Sequence, residues 1–242
     1  MNLIVDVGNT RVKLAVFQED KMLVKTTCNV NDIVEQVLEL QKEFNLKRGI
    51  LASVGKLTNA FVEAISAIVP IIIFTHKTKV PFKNAYKTPE TLGVDRIALV
   101  GASVKSYPKA HVLIIDAGTC ITYDFIDSSN TYHGGAISPG LTMRYKLLNN
   151  LTANLPLLKR KTPKEITGNT SKRAIHSGVV NGVVFEIDGV INQYREKYQD
   201  LTVILTGGDT KFLSKQLKNS IFANSNFLLE GLNFILEFNS CE

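Results

Sequence analysis

The sequence predicts an α/β protein built from two similar units, one over residues 1–110 and one over 111–242. Three observations predict it. The stretch "LIVDVGNTRVKLAVF" at 3–17 runs an apolar strand into an acid, Asp6, and a Gly-Asn-Thr turn, and "LIIDAGTCITYDF" at 113–125 repeats the pattern with Asp116 and Gly118. Apolar runs of strand length alternate with helix-period segments, the signature of layered α/β units. A third strand-to-turn junction, "LTVILTGGD" at 201–209, ends in a Gly-Gly turn. Two such units facing each other place a cleft between their first hairpins.

The elements follow in order. Residues 2–7 read as a buried strand and 11–17 as its hairpin partner, with Val12, Leu14 and Val16 alternating with Arg11, Lys13 and Ala15. From Asn31 the period becomes helical, with Ile33, Val34, Val37, Leu38 and Leu40 on one side and Asn31 or Asp32 as cap. "GILASVG" is a strand, Thr58 caps a helix through Ile68, and "PIIIF" is a further buried strand. "GVDRIALVGASV" at 93–104 turns into a helix carrying Ile97, Leu99 and Val100. In the second unit, "TYHGGAISPGL" leads to a helix near Leu141, and a long helix runs from about Thr170 to Tyr194. Gly178, Gly182 and Gly189 inside it imply close approach of another backbone, or a break. "FLLEGLNFILEF" closes the chain as an amphipathic helix, read as core-packing rather than as a partner's docking face.

Composition narrows the function classes. A chain of 242 residues can bury a sizeable core, and its net charge of +6 comes without a long basic run or Arg-rich arm. Nucleic acid is therefore not an expected partner, whereas phosphorylated or carboxylated small molecules suit a mild positive field. Three cysteines without Cys-x-x-Cys spacing argue against a disulfide framework or a zinc site, and for a reducing, cytoplasmic compartment. No signal peptide is expected, since Asp6 interrupts the N-terminal apolar run. No membrane span is expected either, the most apolar stretch, "AIVPIIIF" at 67–74, being too short. His76, His111, His133 and His176 show no metal-ligand spacing and receive no catalytic role.

One acid at a strand end is adequately explained by turn chemistry, because Asp accepts backbone N–H bonds there. Two matched copies, each with a glycine two positions on, point to more. Gly8 and Gly118 let backbone N–H groups approach a bulky anion, and a nearby carboxylate suits Mg²⁺ held through water. Neither a G-x-x-x-x-G-K-S/T loop nor a G-x-G-x-x-G fingerprint is present, so the P-loop and Rossmann readings fail. A nucleotide cleft made of two acidic hairpins and a Gly-Gly turn remains.

That arrangement resembles the acetate and sugar kinase, Hsp70 and actin superfamily, which implies two ribonuclease H-like (actin-like ATPase) domains, each a mixed five-stranded sheet with flanking helices. Within it, "DVGNT" at 6, "TLGVDR" at 91, "DAGTCIT" at 116, "GGAISPGL" at 134, "NTSKRAIHSG" at 169 and "TGGD" at 206 resemble type III pantothenate kinase, in order and over nearly the whole chain.

The resemblance implies ATP-dependent phosphorylation of pantothenate to 4′-phosphopantothenate, the first step of coenzyme A biosynthesis. By it, Asp6, Val7, Gly8, Asn9, Thr10, Arg11, Val12 and Lys13 form the first phosphate loop, with Asp6 orienting Mg²⁺. Lys13 reads equally as an exposed strand charge. Asp95 is the general base, with Gly93, Val94, Asp95 and Arg96 around the acceptor and the Arg96 fork on the pantothenate carboxylate. Asp95 also reads as a helix cap. Tyr86 and Thr170 contact pantothenate by resemblance, while locally they read as a half-buried tyrosine and a helix N-cap. Asp116 binds a monovalent cation, K⁺ or NH₄⁺, Thr119 contacts ATP, and Gly207 and Gly208 sit against adenosine or ribose. Cys120 stands where the family more often has alanine, and also reads as a small buried hydrophobe. "GGAISPGL" shapes the acceptor pocket and a helix start. A homodimer whose pantothenate site borrows surface from the second subunit is implied too. Two other readings stay open: a kinase or phosphatase for another small molecule on the same fold, and a nucleotide-binding regulator without turnover.

Overall fold

The computed structural model describes residues 1–54 and 57–240. Cys241 lies outside the described residues, as does Gly55 at the end of the expected "GILASVG" strand. The chain forms two compact units: Met1–Lys109 with Asn130–Tyr132 and the C-terminal segment from Asn226, and Ala110–Ser129 with His133–Ser225. A cut at 110/111 would assign that C-terminal segment to the second unit.

The first unit opens with the hairpin β1 (Asn2–Val7) and β2 (Val12–Gln18), continued antiparallel by β3 (Lys21–Cys28). Then come α1 (Ile33–Glu43), β4 (Arg48–Ser53), α2 (Asn59–Ile68), the short β5 (Ile71–Ile73), β6 (Lys83–Asn84) and α3 (Val94–Ser106). The sheet order is β3-β2-β1-β4-β5, antiparallel on the hairpin side and parallel on the other. Its core collects the strand residues Leu3, Val5, Val7, Val12, Leu14 and Val16 against Ile33, Val37 and Leu40 of α1. Leu38 is left 43% exposed, so the apolar face of α1 is narrower than its spacing predicts. The "PIIIF" strand is not buried as expected: β5 is the sheet's outer strand, and Ile73 is 42% exposed.

The second unit repeats the plan. It contains β7 (Val112–Ala117), β8 (Cys120–Ile126), β9 (Thr131–Pro139), α4 (Leu141–Asn150), α5 (Ser171–His176), α6 (Gly182–Lys197), β10 (Thr202–Thr206), α7 (Thr210–Leu213) and β11 (Phe222–Ala223). Its strands run β9-β8-β7-β10-β11, the order of the first sheet with each strand replaced by its counterpart. The sheet carries six strands rather than the expected five, because Lys83 and Asn84 of β6 pair with Thr131 and Tyr132 at the start of β9.

A five-residue π turn, Ser177–Asn181, joins α5 to α6 as one 27-residue helix. That helix is long and apolar enough to cross a membrane, yet Ile175, Val179, Val180, Val183, Ile187 and Ile191 recur at helical spacing and pack on the sheet core. Neither implication of its glycines is met: the helix runs through all three, its only irregularity among the described residues being the π turn that contains Gly178. Nothing stands within 4 Å of a side chain built at Gly178, Gly182 or Gly189, so no backbone approaches there.

The last element, α8 (Phe227–Phe238), returns to the first unit and packs along α3. Gly231 makes that approach possible, since a Cβ there would sit 2.0 Å from the Ala98 carbonyl oxygen. Phe227, Leu228, Leu229, Leu232, Ile235 and Leu236 are buried, which is the core-packing role expected of this helix.

Candidate active site

Successive β1 side chains point to opposite faces, so Asp6 turns away from the core face of Leu3, Val5 and Val7. It is nevertheless 4% exposed. Its direct cross-strand partner in the hairpin register is Lys13, and the Lys13 ammonium lies 3.0 Å from Asp6 Oδ2. Lys13 is thus paired at the hairpin and also 39% exposed, which joins the two readings it carried. Four residues, Gly8, Asn9, Thr10 and Arg11, separate the last strand pair, Val7 and Val12. The Gly8 N–H donates to the Arg11 carbonyl at 3.2 Å, and Asn9, Thr10 and Arg11 are exposed. A carboxylate of this kind, beside a loop open to phosphate, has the donor chemistry Mg²⁺ uses when it keeps most of its waters.

Elsewhere in the same unit, α3 starts at Gly93, which occupies the N-cap position. Asp95 is not the N-cap, but its Oδ1 accepts the Arg96 N–H at 2.8 Å, so it does serve the first helical turn. Negative charge there is favoured by the helix dipole. Arg96 is 5% exposed, and its guanidinium carbon lies 5.7 Å from the centre of the Tyr86 ring. Tyr86 in turn stacks on Tyr132 at 6.2 Å. The half-buried Tyr86 and the buried Arg96 are therefore brought together, each restricting the other through a cation–π contact.

In the second unit, Asp116 holds on β7 the place Asp6 holds on β1. Its cross-strand partner on β8 is Thr122 and its parallel neighbour on β10 is Thr206. Gly207 follows with φ of +95°, and a Cβ on it would come within 2.3 Å of Asp116 Oδ1. The glycine keeps a cradle open over this carboxylate, and carboxylate, hydroxyl and carbonyl oxygens are donors suited to a hard cation. The turn between β7 and β8 is fastened from two sides: Gly140 N–H donates to the Thr119 carbonyl at 3.1 Å and Asp209 N–H to the Ala117 carbonyl at 2.9 Å. Thr119 is exposed at its tip and Gly208 beside the β10–α7 turn, while Cys120 is a half-buried free thiol.

Thr170 is the N-cap of α5, its hydroxyl accepting the Arg173 N–H at 3.3 Å, and it is exposed. "GGAISPGL" ends β9 and starts α4 with Gly140 at the N-cap. Sequence reasoning missed the group that holds this motif, Glu186. Its carboxylate accepts the Tyr123 hydroxyl at 2.8 Å, the Ser138 hydroxyl and the Arg144 guanidinium. Burial pushes Glu186 up, but the bonds from Ser138, Arg144 and Tyr123 outweigh it and hold the carboxyl below the usual glutamate range. Tyr123 is pushed far above the usual phenol range, first by burial and then by Glu186. The available signal was an acid pair, Glu186 and Asp188, inside the apolar run "VVFEIDGVI". Among the described residues, no three His, Cys, Asp or Glu side chains cluster as a metal-binding group.

Two mixed sheets of one strand order, each presenting an acid at the end of its first hairpin, define the fold of the actin-like ATPases and sugar kinases. A candidate N-acetylmannosamine kinase from Listeria monocytogenes superposes with a TM-score of 0.56 at 12% identity, covering 98% of this chain and 99% of that one. A candidate Baf family transcriptional activator from Campylobacter jejuni superposes at 0.67 and 21% identity, covering 99% and 100%. At such identities the likeness is one of fold alone. The family model of type III pantothenate kinase matches residues 2–193. A type III pantothenate kinase of Christiangramia forsetii is 51% identical over 100% of both chains. This chain belongs to the type III pantothenate kinase family, and is by that membership a kinase.

Proposed function

We propose that the protein transfers the γ-phosphoryl group of ATP to the primary alcohol of pantothenate, giving the 4′-phosphopantothenate from which coenzyme A is built. The observation that carries the acceptor half of this reading is the start of α3, where Asp95 and the buried, Tyr86-backed Arg96 follow one another. Phosphoryl transfer needs charge screened on the donor, the acceptor hydroxyl in line and its proton accepted.

Asp95 accepts the hydroxyl proton as general base, and Arg96 binds the pantothenate carboxylate through its planar fork, with Gly93, Val94, Tyr86 and Thr170 completing the acceptor contacts. The loop from Asp6 to Lys13 binds the ATP phosphates through backbone N–H groups and the Lys13 ammonium, Asp6 holding Mg²⁺ through water. Bound there, Mg²⁺ neutralises phosphate charge. Asp116 holds a monovalent cation, K⁺ or NH₄⁺, beneath the phosphates, Thr119 contacts ATP, and Gly207 and Gly208 pack on its nucleoside. The working form is a homodimer in the cytoplasm. Leu151, Leu157, Ile166 and Phe185 support the dimer as exposed apolar residues of the second unit, and the free thiols of Cys28 and Cys120 fit a reducing compartment.

The test is ADP release with ATP, Mg²⁺ and K⁺, with and without pantothenate, beside Asp95→Asn. Turnover should require pantothenate and fall about 10²- to 10⁴-fold in the variant at little change in KM. ATP binding without pantothenate-dependent turnover would end the acceptor assignment, and full activity of the variant would end the role of Asp95.

A further inference from the structure

Glu186 lies on α6 between Val183 and Ile187, both buried in the sheet core, and its own side chain is 28% exposed. A carboxylate so placed is costly unless its oxygens are bonded. Side chains from three other elements supply the donors: Tyr123 of β8, Ser138 of β9 and Arg144 of α4.

These bonds converge on one short segment. Ser138 binds the carboxylate directly, and the Arg144 fork spans two acceptors, Nη2 on Glu186 and Nε on the Pro139 carbonyl at 2.8 Å. Gly140 comes next, and its N–H donates to the Thr119 carbonyl at 3.1 Å. The approach is close, since a Cβ on Gly140 would stand 2.2 Å from the Gly118 carbonyl oxygen and 2.5 Å from that of Thr119. Glu186 thus reaches the β7–β8 turn through the consecutive residues Ser138, Pro139 and Gly140. It reaches the same hairpin again through Tyr123, the neighbour in sequence of Thr122, which faces Asp116 across the strands. Thr119 is exposed at the tip, where the Gly140 contact restrains it.

We propose that Glu186 is a positioning residue for the phosphoryl-donor side of the reaction: through residues 138–140 it fixes the turn that carries Asp116 and Thr119. The inference rests on the cation and ATP roles given to those two residues. The charge matters because an ionised carboxylate offers acceptors to all its partners at once. Glutamine in its place keeps the shape but turns one acceptor oxygen into a donor that faces donors.

The experiment compares full-length wild type, Glu186→Gln and Asp116→Asn by amide hydrogen exchange and by turnover across a KCl titration. In Glu186→Gln the amides of Gly118 and Gly140, bonded to the Cys120 and Thr119 carbonyls, should exchange at least about tenfold faster. The β7 amides from Leu113 to Ile115 should keep their rates. The KCl concentration for half-maximal stimulation should rise about tenfold, the lower end of the range for losing an outer partner of a metal site. The KM for pantothenate should stay within about twofold. Unchanged exchange at Gly118 and Gly140 would overturn the proposal, and so would an equal quickening through β7, which marks general loosening. A pantothenate KM that rises while the KCl response stays fixed would overturn it too, by moving the effect to the acceptor. If Asp116→Asn keeps its K⁺ stimulation, the role of Asp116 fails instead, and the exchange rates still decide whether Glu186 holds the turn. Should Glu186→Gln not fold, Ser138→Ala removes one bond to the same carboxylate and should move the same readouts in the same direction by smaller factors, no movement being the overturning result.

Discussion

The two first hairpins share a strand order and an acid at the same place, and differ in what faces that acid. Across from Asp6 stands Lys13, and across from Asp116 stands Thr122. The first turn has four residues between its last strand pair, Gly8 to Arg11, whereas the second has three, Gly118 to Cys120. The first hairpin therefore brings a near-neutral ion pair and a longer run of open backbone. The second brings a carboxylate among hydroxyls, under a turn fastened from two sides. A loop that must receive a phosphate gains from an ammonium and open N–H groups, while a hard cation gains from an acid without an ammonium opposite. One strand plan is thus used twice, and under the proposed roles the cross-strand residue and the turn that follows it distinguish the two acids.

The largest expected effect comes from removing each acid. Asp6→Asn should lower kcat by about 10²- to 10³-fold at any K⁺ concentration, the range for losing one preorganised electrostatic contact in the transition state. Asp116→Asn should instead abolish the stimulation by K⁺, leaving turnover near the level wild type shows in Na⁺. Steady-state rates across a KCl titration decide it. If the two variants fail in the same manner, the division of labour is wrong.

A sharper probe is Thr122→Lys, which gives Asp116 the kind of partner that Asp6 has. Among the described residues the Thr122 hydroxyl has no hydrogen-bond partner, so the substitution removes no bond seen in the structure. Turnover should become insensitive to added KCl, because a tethered ammonium replaces the mobile cation. Persistent K⁺ dependence in a folded variant would show that Asp116 does not hold the ion.

The turns themselves predict a smaller difference, in stability. Gly207→Ala forces a side chain into φ of +95° and within 2.3 Å of Asp116 Oδ1, and should cost about 1–3 kcal/mol in urea unfolding. Gly8→Ala meets the Arg11 carbonyl oxygen at 3.2 Å, and should cost less than about 1 kcal/mol. Equal costs would mean that the β10–α7 turn lying over Asp116 is no more tightly built than the first hairpin's turn.

Much of this was legible in the chain because repeated local patterns carry it. The acid-glycine strand ends at Asp6 and Asp116 announced two related units, and the period of "GVDRIALVGASV" placed Asp95 and Arg96 at a helix start. What stayed hidden depends on long-range packing. No local pattern says that "PIIIF" becomes an outer strand, since an isoleucine run is equally suited to a sheet's middle or edge. The return of "FLLEGLNFILEF" to α3 rests on the fit of Gly231 against Ala98, far apart in sequence. The strand at Lys21–Cys28 was passed over because its polar residues weaken the alternation, and Glu186 because its partners lie on three other elements.

The smallest expected effect compares one buried-edge carboxylate in each unit. Glu186 in the second unit is bonded by Tyr123, Ser138 and Arg144, and Glu237 in the first by Asn2 and Arg48. In both, burial pushes the carboxyl up and the donors more than reverse it, so both are held below the ordinary value of 4.5; at Glu237 the nearby Asp20 also pushes upward. A lowered folded pKa stabilises the fold above the unfolded value, and that stability is lost as pH falls through the folded one. Urea midpoints taken from about pH 7 down to about pH 4 and below should therefore drop in wild type. Glu186→Gln should flatten that drop more than Glu237→Gln, because Glu186 gathers three donor side chains without a neighbouring acid among the causes of its shift. A larger flattening by Glu237→Gln would place the acid-sensitive clamp in the first unit, and would reverse the ranking of the two units that their hydrogen bonds imply.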